Sequence, residues 1–109
     1  MKSRTVQIGL LQKSCSEDPS VNLEQAIQSI RDIAKDGAQV ICLQEVFNTQ
    51  YPCQSEDHAN FELAEPIPGP TTTAISKIAK ELGVVVVVPL FERRAPGLYH
   101  NTAVVIDAD

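Results

Sequence analysis

Five consecutive valines, Val84 to Val88, limit this chain to few architectures. β-branched side chains lose rotamer freedom against a helical turn and pack well on a pleated sheet, so such a run reads as a strand. It has no polar alternation, which predicts burial on both faces, as in the interior of a parallel sheet with layers on either side. A second run, Ala38-Gln39-Val40-Ile41-Cys42-Leu43-Gln44-Glu45-Val46-Phe47, repeats the pattern over Val40–Leu43 and ends on a carboxylate. At 109 residues the chain has the length of one domain, and without tryptophan its core must be aliphatic.

The segments between these runs supply the crossovers. Val6, Ile8 and Leu10 alternate within Thr5–Gln12, with Gly9 and Leu11 on the opposite side, and predict a first strand. Asp18-Pro19 offers a cap followed by proline at the first helical position. Leu23, Ala26, Ile27, Ile30, Ile33 and Ala34 then share one helix face, and Gly37 stands where a left-handed terminating residue is expected. Strand, helix and the Val40–Leu43 strand make a βαβ unit, whose crossover is expected to be right-handed. Asn48–Pro70 has no period and holds Pro52, Pro66, Pro68, Gly69 and Pro70, a loop long enough to suggest a function. Thr71 or Thr72 is expected to cap a second helix that buries Ile75, Ile78, Ala79 and Leu82 and ends at Gly83. After the valine strand, Ala95-Pro96-Gly97 is a turn leading to a last strand, Thr102–Ile106.

Composition narrows the partners. A net charge of −5 and a pI near 4.9 argue against nucleic acid. No apolar run approaches the roughly 20 residues that span a bilayer, and Met-Lys-Ser-Arg leads into a strand pattern rather than a signal peptide. Three cysteines without metal-ligand spacing suggest reduced thiols and a cytoplasmic location. There is no glycine-rich phosphate loop, repeat or basic patch.

In open α/β sheets reactive groups gather beyond the carboxyl ends of the strands, which is where Glu45 falls. By position it is either a working acid or base or a carboxylate satisfied by an arginine or by loop amides. Partial burial at the end of an apolar strand is expected. Glu92 follows the valine strand comparably, with pairing to Arg93 or Arg94 as the commoner fate. Cys42 and Glu45, three apart on one strand, are expected to point to opposite faces. Cys15 reads as a mobile loop thiol, Lys77 and Lys80 as solvated charges, and His58 and His100 have no partner by spacing.

The whole pattern resembles the amino-terminal part of a carbon–nitrogen hydrolase of the nitrilase superfamily. The resemblance rests on the strand Val6–Gln12, Asn22-Leu23, Gly37-Ala38, Glu45, Tyr51-Pro52-Cys53-Gln54, Pro68-Gly69-Pro70 and Tyr99-His100-Asn101-Thr102-Ala103. Leu43-Gln44-Glu45, Cys53-Gln54 and Leu98–Ala103 look most like the N-carbamoylputrescine amidohydrolase branch, although many relatives have proline in place of Gln44. A rival, the endonuclease/exonuclease/phosphatase family, shares the Leu-Gln-Glu strand end but uses the glutamate to bind a divalent metal. Its first strand resembles one ending in asparagine, whereas this one ends in Leu11-Gln12.

The resemblance implies an α/β fold, an α-β-β-α sandwich of which residues 1–109 form an incomplete amino-terminal part of a single hydrolase domain. It implies a Glu, Lys and Cys set, with Glu45 as general base and the lysine and cysteine falling beyond Asp109. A thiol of pKa near 8.5 is only slightly ionised at neutral pH, so a base must take its proton, and the oxyanion that follows needs a fixed donor beside it. Tyr51, Cys53 and Gln54 are implied substrate contacts, and Tyr99 and Asn101 structural residues at the site rim. The expected partner is a small amide or carbamoyl substrate, without metal or cofactor, in a homo-oligomer. Alone, the segment is expected to be inactive or to act only in association.

Overall fold

Alternation along the strands decides how the layers stack. In the computed structural model, which describes residues 3–52 and 58–109, Val86, Val88 and Leu90 are buried to 1% exposure or less while Val85 and Val87 are only half-buried. One side of the sheet is packed; among the described residues nothing packs comparably on the other. The expected burial of Val84–Val88 and Val40–Leu43 on both faces is therefore corrected to burial on one.

The elements are β1 (Ile8–Leu10), α1 (Pro19–Lys35), β2 (Val40–Cys42), a 3-10 helix (His58–Leu63), α2 (Pro70–Leu82), β3 (Val85–Ala95) and β4 (Leu98–Ile106). They form a four-stranded sheet of order β1-β2-β3-β4. β1 and β3 run parallel to β2, with Gly9 and Val86 opposite Ile41, and β4 returns antiparallel to β3. Ala26 and Ile30 of α1 and Ile75, Ile78 and Ala79 of α2 close over Ile41, Leu43, Val86, Val88 and Leu90 in one aliphatic cluster. This is one sheet and one helix layer of the expected sandwich. No described helix is long and apolar enough to cross a membrane.

Local chemistry explains where the elements start and stop. Asp18 Oδ1 accepts from Ser20 N at 2.9 Å and from Ser20 Oγ at 2.7 Å, capping α1; these bonds hold its carboxyl below the usual carboxylate range. Gly37 takes φ of 100° and donates to Ala34 O at 3.0 Å, ending the helix as expected. The cap of α2 is Gly69 rather than Thr71 or Thr72. Its backbone passes so close to Pro66 that a Cβ would lie 2.2 Å from the Pro66 carbonyl oxygen, which leaves the position to glycine. Thr72 Oγ1 accepts the Gly69 N–H at 2.8 Å, while Thr71 turns to Glu65.

β1 is shorter than the alternation of Thr5–Gln12 suggested, though its hydrogen bonds to the β2 segment run from Gln7 O to Leu11 N. Its period also faces the other way from a usual core strand. Ile8 and Leu10 are 62% and 76% exposed, and Gly9 is the buried residue. A Cβ on Gly9 would lie 2.3 Å from Ile33 Cγ2, so the bare backbone is what lets α1 lie down on the sheet edge. β3 and β4 run longer than expected, a hairpin turning at Pro96-Gly97. The Asn48–Pro70 stretch holds the 3-10 helix and, at Glu65, a parallel bridge to Glu92.

Gly9→Ala is expected to lower unfolding free energy in urea by about 1–3 kcal/mol through overpacking. Adding Ile33→Ala, which removes the colliding methyl, is expected to recover part of that loss; simple additivity of the two losses would contradict this packing.

Candidate active site

The site begins where β2 runs out. Leu43 is still buried in the core, but residues 45–48 form a turn. Val46 there has φ of 48°, a left-handed conformation costing a β-branched residue on the order of 1–3 kcal/mol. Its surroundings hold it. Val46 and Phe47 are 3% and 5% exposed, and Phe47 N donates to Pro89 O at 3.4 Å.

Behind the turn runs a chain of polar groups whose middle members, Asn22, Asn48 and Thr71, are buried. Asn22 Oδ1 accepts from Ser16 N at 2.8 Å, and Asn22 Nδ2 donates to Ser16 O and to Asn48 O, both at 2.9 Å. Asn48 Nδ2 donates to Thr71 Oγ1 at 3.3 Å. Thr71 donates through N and Oγ1 to the two Glu65 oxygens at 3.0 and 2.8 Å, placing a carboxylate on the positive end of α2. Gln44 braces the other side. Its amide pairs with the Lys13 backbone through both atoms and donates to Cys15 Sγ at 3.5 Å.

Glu45 emerges between these supports, and Asn101 Nδ2 donates to its Oε1 at 2.5 Å. Among the described residues neither expected partner, an arginine or a loop amide, bonds to it. Glu45 is exposed rather than partly buried. The alternation placing Cys42 and Glu45 on opposite faces also lapses, because the strand ends at Cys42. Glu45 nonetheless borders a cleft of about 290 Å³ with Cys15, Gln44, Thr49, Gln50 and Tyr51. Thr49, Gln50 and Tyr51 are shared with an adjoining cleft of about 490 Å³ that reaches Glu17 and Asn60. Thr49 Oγ1, in the wall common to both, is buried without a hydrogen-bond partner among the described residues. Opposite Asn101 in the hairpin register stands Phe91, whose ring lies 5.7 Å from that of Tyr99, and the Phe61 ring packs tilted at 4.7 Å from Tyr99.

The other candidates fall as follows. Tyr51 lies on the cleft beside Glu45, whereas Cys53 and Gln54 are outside the described residues. Cys15 is not a loose thiol: it is half-buried and donates to Phe47 O at 3.0 Å. Burial pushes its pKa up, against a smaller opposing pull from Gln44, so it stays protonated near neutrality and makes a poor nucleophile. Glu92 does not pair with Arg93 or Arg94. It is buried, accepts from Thr102 Oγ1 at 2.7 Å and stands 3.8 Å from His100 Nδ1, so His100 does have a partner. The strand register, not sequence spacing, brings that pair together. His58 stacks on Phe61, and Lys77 and Lys80 are exposed as expected. Among the described residues no three His, Cys, Asp or Glu side chains gather to hold a metal, so Glu45 has no co-ligands there.

Residues 5–109 match the carbon-nitrogen hydrolase family. The chain belongs to that family. It is 39% identical over 109 residues to an N-carbamoylputrescine amidase of Solanum lycopersicum, covering 99% of this chain and 36% of that protein. It is 33% identical over 105 residues to the omega-amidase NIT2 of Bos taurus, covering 96% and 37%. Its fold superimposes on a carbon-nitrogen hydrolase of Helicobacter pylori G27 with a TM-score of 0.85 and 32% identity, covering 95% and 36%. The chain thus spans a little over a third of the relatives it matches. The phosphoesterase reading finds no support in these matches.

In this carbon–nitrogen hydrolase chain, a variant with Cys42→Ser and Cys53→Ser, leaving Cys15 alone, is expected to react with iodoacetamide at pH 7 more slowly when folded than when unfolded in urea. Equal rates would show that Cys15 is not held as described.

Proposed function

We propose that Glu45 is the general base of an enzyme that hydrolyses a non-peptide carbon–nitrogen bond. The observation that carries this reading is a carboxylate at a strand end, on a cleft, with one oxygen held by Asn101. Among the described residues the second oxygen, Oε2, takes no hydrogen bond, which leaves it to accept a thiol proton. The family's lysine and cysteine fall after the strand that ends here, so this segment would supply the base and one wall of the pocket.

The steps follow from that division. Glu45 takes the proton of the cysteine thiol as the sulfur bonds to the substrate carbonyl carbon. The lysine stabilises the tetrahedral oxyanion. The carbon–nitrogen bond breaks as the proton held on Glu45 passes to the leaving amine nitrogen. Water, with Glu45 again as base, then cleaves the S-acyl intermediate (a thiocarbamate for a carbamoyl substrate), freeing the thiol and a carbamic acid that splits into ammonia and carbon dioxide. We propose an N-carbamoyl amine such as N-carbamoylputrescine as substrate, giving amine, ammonia and carbon dioxide, a step of polyamine biosynthesis. The 39% identity to an N-carbamoylputrescine amidase supports that choice. No metal or other cofactor enters the scheme. Tyr51, on the cleft, would contact substrate, with Cys53 and Gln54 beside it in the chain. We further propose a cytoplasmic homo-oligomer.

A chimera carrying residues 1–109 in place of the corresponding segment of the Solanum lycopersicum enzyme is expected to release ammonia from N-carbamoylputrescine. Glu45→Gln in it is expected to lower turnover by about 10²–10⁴-fold. The 109-residue chain alone is expected to show no turnover above blank. A Glu45→Gln chimera with undiminished activity, or robust turnover by the chain alone, would refute the scheme.

A further inference from the structure

We infer that Asn101 is a positioning residue for Glu45, acting through the carboxylate rather than on substrate. Its Nδ2 lies 2.5 Å from Glu45 Oε1, a short bond of the kind made to a charged acceptor. Only the amide nitrogen can donate to a carboxylate, so the chemistry fixes the orientation of the amide. Asn101 belongs to a long strand whose register pairs it with Phe91, between Pro89↔Ala103 and Arg93↔Tyr99. Glu45, by contrast, sits on a turn forced into left-handed backbone at Val46. A carboxylate on a turn has two side-chain torsions of freedom beyond χ1, and a fixed donor on the neighbouring hairpin removes them.

Both residues are exposed, so the bond contributes little to folding. Its effect falls on geometry: with Oε1 tied to β4, Oε2 is the oxygen left for the proton of the attacking thiol. Displacement of a reacting group by about 1 Å costs on the order of 100-fold in rate, which makes such a tether consequential. On this reading the structural role expected for Asn101 at the site rim extends to the reaction geometry. The inference rests on Glu45 being the base.

Two measurements separate them. In the 109-residue chain, the Asn101 side-chain amide resonances are expected to lie away from the free-solvent position and to move toward it in Glu45→Gln. In the chimera, Asn101→Leu, which keeps the size and removes the donor, is expected to lower kcat by about 10- to 100-fold with KM changed less than about twofold. Asn101→Asp, which puts a second carboxylate there, is expected to do the same, with the thermal midpoint of both variants near that of the parent chimera. An Asn101 amide at the free-solvent position, or one that ignores Glu45→Gln, overturns the inference and leaves Glu45 as base. Full kcat in Asn101→Leu overturns it as well. A Glu45→Gln chimera as active as its parent removes the base itself, whatever the amide resonance shows.

Discussion

The hydrogen-bonded thread from Ser16 through Asn22, Asn48 and Thr71 to Glu65 is the constraint on which the site depends. Asn22, Asn48 and Thr71 are each 5% exposed or less, so every broken link would strand a buried polar group at a cost of about 1–3 kcal/mol. The thread ties together the loop after β1, the start of α1, the turn after β2 and the start of α2. It also holds Val46 in a conformation that its side chain disfavours. The place where Glu45 leaves the sheet is thus decided by groups that never touch it.

The sheet gives that turn a rigid base on one side only. Helices α1 and α2 bury Ile41, Val86, Val88 and Leu90, while Ile8, Leu10 and Val105 of the opposite face remain exposed. This asymmetry agrees with a chain that covers a little over a third of the relatives it matches. It also puts the catalytic candidate in an exposed setting here. Burial that sequence position suggested for Glu45 requires atoms on the open side, and the described residues supply few.

Local pattern made most of the fold legible. The apolar spacing of α1, Asp18-Pro19 and Gly37 identified both ends of that helix, because capping depends on a few adjacent residues. The parallel β1–β2 pair followed from the length of the crossover. Less was readable in Asn48–Pro70, since neither the 3-10 helix nor the Glu65 bridge to Glu92 has a periodic signature. Gln44, which departs from the proline of many relatives, showed its purpose only when its amide was seen bracing Lys13 and Cys15.

By itself the sequence determined which stretches become strands and helices and that Glu45 follows β2, because propensity, periodicity and caps act within a few residues. Tertiary structure alone decided that Glu45 meets Asn101, 56 residues away, that Glu92 meets His100 and Thr102, and that the Glu65 carboxylate meets Thr71 at the start of α2. Those partners are set by strand register and loop path. Both are fixed by burying one face of the whole sheet at once, which no short window of residues encodes.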